Sequence, residues 1–229
     1  MRTPIFPTKP RISGFPDRAI GTMPVARFCF RSIALHLRSV AKTLAMSSIF
    51  ARRKSTFPQF FTDRPVERRT LEVLMEIANL APSHRKTEPW RFRAYAGAGK
   101  ERLLAEMLDV YGREKDDVEQ IERKFGKKIE QSGAALLIFL HRDPAESVPE
   151  WEEIAAVGTA VENLWLALDE YGLGGYWSSP GFVCGDYGAW PGTAANERCL
   201  GIFYLGYPDA PDLPRPRGDW REKVTWVTE

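Results

Sequence analysis

Along residues 66–81, VERRTLEVLMEIANLA, the apolar positions Leu71, Leu74, Ala78 and Ala81 recur at helical spacing, and Ile77 and Leu80 widen the stripe. The spacing predicts an amphipathic helix that stops at Pro82, because proline cannot continue the hydrogen-bond ladder. Glu88 precedes Pro89 and is pushed out of helical geometry, so 82–89 is expected as a loop. Trp90–Tyr95 reads as a strand, closed by Gly97 and Gly99, and 100–128 as a charged, mostly helical stretch. Residues 134–140, AALLIFL, form the unbroken apolar run of a strand buried on both faces. Residues 150–171 predict a second long helix. Ile154, Val157, Val161, Leu164, Trp165 and Leu168 give it a broad apolar face, with the small residues Ala155, Ala156, Gly158 and Ala160 beside it. So apolar a helix is either central or packed on a partner. Gly172, Gly174 and Gly175 stop it, a short strand is expected at 176–178 and another at 199–207, and Pro208, Pro211, Pro214 and Pro216 make an extended tail. Helices alternate with strands, which restricts the class to α/β or α+β.

Residues 1–45 break this pattern. Pro4, Pro7, Pro10, Pro16 and Pro24 punctuate a stretch with little apolar periodicity, which reads as disordered. In 25–44, Arg27, Arg31, Arg38 and Lys42 fall on one side of a helical wheel, and Phe28, Phe30, Ile33, Leu37, Val40 and Leu44 take much of the rest. This basic amphipathic stretch suits an organelle presequence, a membrane-surface helix, or a segment outside the native protein with translation starting at Met46. The expected organisation is therefore an extension, 1–45, and one globular domain, 46–229.

Charge then narrows the function. The chain has 32 Lys/Arg and 30 Asp/Glu, a formal +2. Eight of those bases and one acid fall in 1–45, which leaves 24 bases and 29 acids, a net of −5, for the globular part. Such a domain does not bind nucleic acid by bulk charge. Cys29, Cys184 and Cys199 form no CxxC pair and imply no disulfide framework, so a reducing, cytoplasmic setting is expected. No run of 18 apolar residues exists, and no stable membrane association is expected.

Several motifs fail. GLGGYW (172–177) lacks the last glycine of a dinucleotide fingerprint, where Trp177 stands, and follows a helix rather than a strand. GAGKE (97–101) is not a P-loop, since Ala94 replaces its first glycine and Glu101 its Ser/Thr. No GxSxG elbow is present, and His36, His84 and His141 have no metal-ligand spacing, so no metal is expected.

Other segments carry a resemblance: Arg52-Arg53-Lys54-Ser55-Thr56-Phe57-Pro58; Ala81-Pro82-Ser83-His84-Arg85-Lys86-Thr87-Glu88-Pro89-Trp90; and Gly172-Leu173-Gly174-Gly175-Tyr176-Trp177-Ser178-Ser179-Pro180, followed by Leu200–Pro208. Their order and spacing are similar to the nitroreductase family of flavoproteins, across roughly residues 47–228. The resemblance implies an α+β fold, an α/β sandwich with a central mixed sheet flanked by helices, assembled as a homodimer with two flavins at the interface. It implies FMN as cofactor and NAD(P)H as co-substrate. It also implies ping-pong hydride transfer to a nitroaromatic, quinone or similar small acceptor, with residues around 107–130 lining the acceptor pocket.

The chemistry of the residues is consistent with this. A dianionic phosphate calls for guanidinium forks and hydroxyls. By resemblance Arg53 and Ser55, with Arg52 and Lys54 beside them, take the phosphate, and Arg215 and Arg217 close on it from the tail. A cation near the pyrimidine edge of the ring stabilises the reduced anion. By resemblance His84 and Lys86 occupy cofactor-contacting positions, whereas a loop histidine in isolation more often caps backbone groups. Trp177, Ser178 and Ser179 match the segment lying along the flavin, and glycine at 174 and 175 permits a close backbone approach to N5; Trp177 fits core packing equally well. Trp90 is assigned to the core. The cofactor does the chemistry, so no catalytic nucleophile or general base is expected. Other flavin reactions on the same fold, such as dehalogenation, desaturation or flavin breakdown, stay open. So does a flavin-free binding protein, which Lys54 and Glu88 favour because the family more often has Arg-Arg-Ser and Gln there.

Overall fold

Trp90–Ala96 (β1), Ala134–His141 (β2), Gly174–Ser178 (β3) and Glu197–Gly206 (β4) pair into one sheet in the order β1-β2-β4-β3. The coordinates are a computed structural model that describes residues 48–112, 118–209 and 216–228. The expected extension 1–45, with its amphipathic stretch 25–44, lies outside the described residues, and so does Arg215.

β2 is central because nothing polar interrupts it. Its residues Ala134 to Leu140 are all buried, between β1 on one side and β4 on the other. Side chains alternate across the sheet. Leu136, Ile138 and Leu140 enter one core with Phe203 and Leu205 of β4. Ala135, Leu137 and Phe139 enter a second core with Ile202 and Tyr204.

The helices Arg68–Ala78 (α1) and Gly99–Gly112 (α2) take opposite faces of the sheet. Leu71, Leu74 and Ala78 of α1 join the first core, and Leu103 and Met107 of α2 the second. Val118–Ile121, a π turn at Glu122–Gly126 and Lys127–Glu130 make a third helical segment (α3), which adds Phe125 and Ile129 to the second core. Glu150–Ala167 (α4) lays Val157, Val161 and Leu164 on the first. The result is the expected α/β sandwich of the α+β class, with helices on both faces of the sheet.

Three details differ from the sequence expectation. The helix expected over 66–81 stops at Ala78; the N–H groups of Leu80 and Ala81 turn back to Ile77 and Ala78, and Leu80 is left 79% exposed. Asn79, the residue at that stop, accepts a hydrogen bond from the buried Trp90 indole at 3.1 Å. β3 begins at Gly174 rather than Tyr176, because both glycines pair with β4. The sheet is not mixed: its four strands are all antiparallel, and its parallel pairing is confined to an isolated bridge, Ser55 to Gly175. No helix of the described residues is long and apolar enough to cross a membrane.

Candidate cofactor site

Helix α4 runs past most of the predicted site. Its first turn carries Glu150, Glu152 and Glu153, acids that suit the positive end of the helix dipole. Glu153 is buried and binds the Arg142 guanidinium and the Asp143 N–H, which fixes the helix start against the end of β2. Glu152 reaches His84 Nδ1 at 2.5 Å. Further along, Glu162 faces Arg53 at 3.5 Å. Beyond the helix end, Asp169 and Glu170 hold Arg52 at 2.5 and 3.4 Å. Glu152 and Glu162 are roughly ten residues apart, so about 15 Å of helix axis separates the His84 end from the Arg53 end.

The cationic segment is fixed locally. Residues 48–52 are helical and the Arg53 N–H closes the turn onto Ile49 at 3.1 Å. The chain then straightens, and the Thr56 N–H bonds to the Gly175 carbonyl at 2.9 Å beside the Ser55–Gly175 bridge. This close approach explains the two glycines in β3. A Cβ on Gly174 would lie 2.9 Å from Thr56 Cβ, and one on Gly175 would lie 2.5 Å from the Phe203 ring and 2.7 Å from Leu168. The space beside both α-carbons is therefore filled by the protein's own side chains. Arg52, Arg53, Lys54, Gly174 and Gly175 nevertheless line one small cleft, together with Trp165, Leu168, Asp169 and Leu173.

The two arginines differ in what they have left to offer. Arg52 is engaged by Asp169, Glu170 and the Ser48 hydroxyl. Arg53 is only 17% exposed, lies 4.7 Å over the Trp165 ring, and has one ion pair and no side-chain hydrogen bond among the described residues. Burial raises the Glu162 carboxyl above its ordinary range, and the Arg53 charge opposes that shift. A half-buried guanidinium with unfilled donors is the chemistry an anion needs. Arg53 thus fits a phosphate, while Arg52, in the same cleft, is already paired with Asp169 and Glu170.

At the far end of α4, His84–Lys86 form a single 3-10 turn. Arg85, Lys86 and Glu88 have φ of 53°, 56° and 44°, left-handed geometry that costs a non-glycine residue about 1 kcal/mol or more. Cross-bonds hold it: the Glu88 N–H donates to Ser83 Oγ at 3.1 Å, and Arg91 Nη1 donates to the Glu88 carbonyl at 2.8 Å. His84 and Lys86 are thereby displayed at the surface beside the start of α4.

The remaining predicted residues are spread more widely. Trp177 is pinned in the sheet; its Nε1–H donates to the Leu200 carbonyl at 3.2 Å and its ring packs against the first core. Ser178 ends β3, paired with Ile202, and Ser179 follows it, exposed. Arg217 is exposed and lines no part of the Arg53 cleft. The sequence pattern gives no site role to Trp165, Glu162, Glu152 or Asp169. For Trp165 a signal exists: a half-buried indole needs a partner for its N–H.

A larger open groove, about 1120 Å³, lies between α1 and β1, with Leu71, Met75, Trp90 and Phe92 in its wall. It holds none of the predicted site residues. Of its two arginines, Arg68 pairs with Glu72 and Arg91 donates to backbone carbonyls.

Comparison with known proteins places the fold in a family. "Putative NAD(P)H nitroreductase YfhC" of Bacillus subtilis (strain 168) is 28% identical over 195 residues, covering 83% of this chain and 96% of that protein. The crystal structure of a nitroreductase-like family protein from Bacillus cereus superposes with a TM-score of 0.67 at 26% identity, over 79% of this chain and 95% of the other. The FMN and NADPH-dependent nitroreductase NfnB from sphigopyxis sp. strain HMH shares the fold, with a TM-score of 0.59 at 21% identity over 80% and 98% of the two chains. The model of the nitroreductase family matches residues 50–207, more than two thirds of the sequence, and the chain belongs to that family.

Proposed function

We propose that this chain is an FMN-dependent oxidoreductase that takes reducing equivalents from NAD(P)H and passes them to a small oxidised acceptor, a nitroaromatic, a quinone or a similar compound. The observation that carries the reading is Arg53: a half-buried cation with unfilled donors, in a cleft with Gly174 and Gly175. Family membership and the FMN and NADPH in the name of NfnB support the choice of ligand.

In this reading Arg53 and Ser55 hold the phosphate, flanked by Arg52 and Lys54, and Arg215 and Arg217 are the tail cations that the family resemblance assigns to it. His84 and Lys86 present positive charge to the pyrimidine edge, and Trp177, Ser178 and Ser179 lie along the ring. FMN, when bound, supplies the hydride chemistry. The side chains bind, orient and set the local charge. Donor and acceptor use the same exposed face in turn, which gives ping-pong kinetics.

The working unit in this proposal is a homodimer. Trp151 on α4 is 67% exposed, and Trp220, Val224, Trp226 and Val227 in the tail are all exposed, apolar side chains that a partner subunit would cover. The free thiols of Cys184 and Cys199 suit a reducing compartment such as the cytoplasm.

The test is to purify the chain, identify any bound flavin, and mix it anaerobically with NADH and NADPH before adding a panel of nitro, quinone and halogenated acceptors. Bleaching of the flavin by either nicotinamide is expected, with recovery on adding the acceptor. A colourless protein that gains no flavin on titration would end the proposal in favour of a flavin-free binding role. Turnover confined to halogenated substrates would move it to dehalogenation.

A further inference from the structure

Trp165 stands between the core and the cationic segment. Its ring meets Phe203 edge-on, with centroids 5.0 Å apart at 88°, and Phe203 is fully buried. Its Nε1–H donates to the Lys54 carbonyl at 3.0 Å. Its ring face underlies the Arg53 guanidinium at 4.7 Å. One side chain therefore holds both the backbone next to Arg53 and the charged plane of Arg53 itself.

The consequence is geometric. An arginine stacked on an aromatic face keeps its N–H groups at the rim of the plane, pointing away from the ring and open to an acceptor. The stack also reduces rotamer freedom before a ligand arrives, so less order is lost on binding. Arg52, one residue away, has no such support and is turned to Asp169 and Glu170 instead.

We propose that Trp165 is a positioning residue that aims Arg53 at the ligand's phosphate, and that it sets the preference of this site for phosphorylated over unphosphorylated flavin. This rests on the reading of the cleft as a flavin phosphate site. Trp165 acts through Arg53 and need not touch the ring.

The test compares FMN with riboflavin, which carries the same ring without the phosphate. The full chain, stripped of flavin, is titrated with each by flavin fluorescence. For the wild type FMN is expected to bind much more tightly. Trp165→Phe keeps a ring but loses the N–H donor, and Trp165→Leu loses both contacts. In Trp165→Phe the FMN Kd is expected to rise about threefold to tenfold, with riboflavin changed less than twofold. Trp165→Leu should exceed that. Since Trp165 also packs on Phe203, a cycle with Arg53→Met guards against a mere packing effect: in that background Trp165→Phe should cost FMN nothing further. Equal loss of FMN and riboflavin, an unchanged FMN Kd, or additive losses in the cycle would each overturn the proposal. Failure of the wild type to bind either flavin would instead refute the function proposed for the cleft.

Discussion

Glu162 of α4 stands 3.5 Å from Arg53, on the same guanidinium that the proposed phosphate would need. If the cleft takes a phosphate as proposed, this ion pair competes with it for Arg53. Burial holds the Glu162 carboxyl above its ordinary range. At high pH Glu162 is ionised and competes. As pH falls through the raised range it takes up a proton and releases Arg53. Glu162→Gln is therefore expected to bind FMN roughly two- to fivefold more tightly than wild type near pH 8. The ratio of the two Kd values should fall towards one as the medium is acidified. Using the ratio cancels the titration of the phosphate itself. Flavin titrations of both proteins across pH check this, and a ratio that stays flat would contradict it.

Neighbouring arginines should give opposite results. Arg53→Ala removes charge-assisted hydrogen bonds worth about 1.5–3 kcal/mol, so FMN affinity should fall roughly tenfold to a hundredfold. Arg52→Ala removes surface ion pairs to Asp169 and Glu170, worth about 0–1 kcal/mol, and should leave FMN affinity near wild type. Parallel isothermal titrations of the two variants make the comparison.

Lys86 has φ of 56°, geometry that favours glycine. Lys86→Gly should relieve about 1 kcal/mol of backbone strain and raise the melting temperature slightly. The same change removes a cation from the proposed ring edge, so flavin binding should weaken as stability rises. Thermal melts of the flavin-free variant, paired with flavin titration, separate the two effects.

Gly175→Ala would press a methyl group against Phe203 at 2.5 Å and Leu168 at 2.7 Å. Overpacking of this kind costs about 1–3 kcal/mol. Urea unfolding should show the midpoint falling without a change in slope. Gly158 is the control, since the position a methyl group would take there has nothing within 4 Å: Gly158→Ala should not destabilise the monomeric fold.

Much of the scaffold is legible in the chain because single patterns have single solutions. AALLIFL has the unbroken apolar run of a strand covered on both faces, and Ala134 to Leu140 are all buried in β2. Trp90, expected in the core, is buried there. The glycines at 174 and 175 point the wrong way, since glycine locally favours a turn, while contact with Thr56 and Phe203 places them in a strand. Which of Arg52 and Arg53 is engaged by acids from outside helix α4 is not readable either, because Asp169 and Glu170 lie far along the chain and no local rule connects residues so distant. Trp165 reads as one more apolar residue on a helix face. Its second role depends on where Lys54 ends up in space.

The bridge from Ser55 to Gly175 has a further effect. β3 is an outer strand of the sheet, and such strands invite pairing with other chains. Here the segment carrying Arg53 lies along that border and takes up the Gly175 carbonyl through Thr56. The anion recognition proposed for Arg53 and the protection of this sheet border are thus vested in one short length of backbone. Cutting the chain just after Thr56 would take away both at once, leaving a protein expected to aggregate as well as to lose the arginine proposed to hold the phosphate.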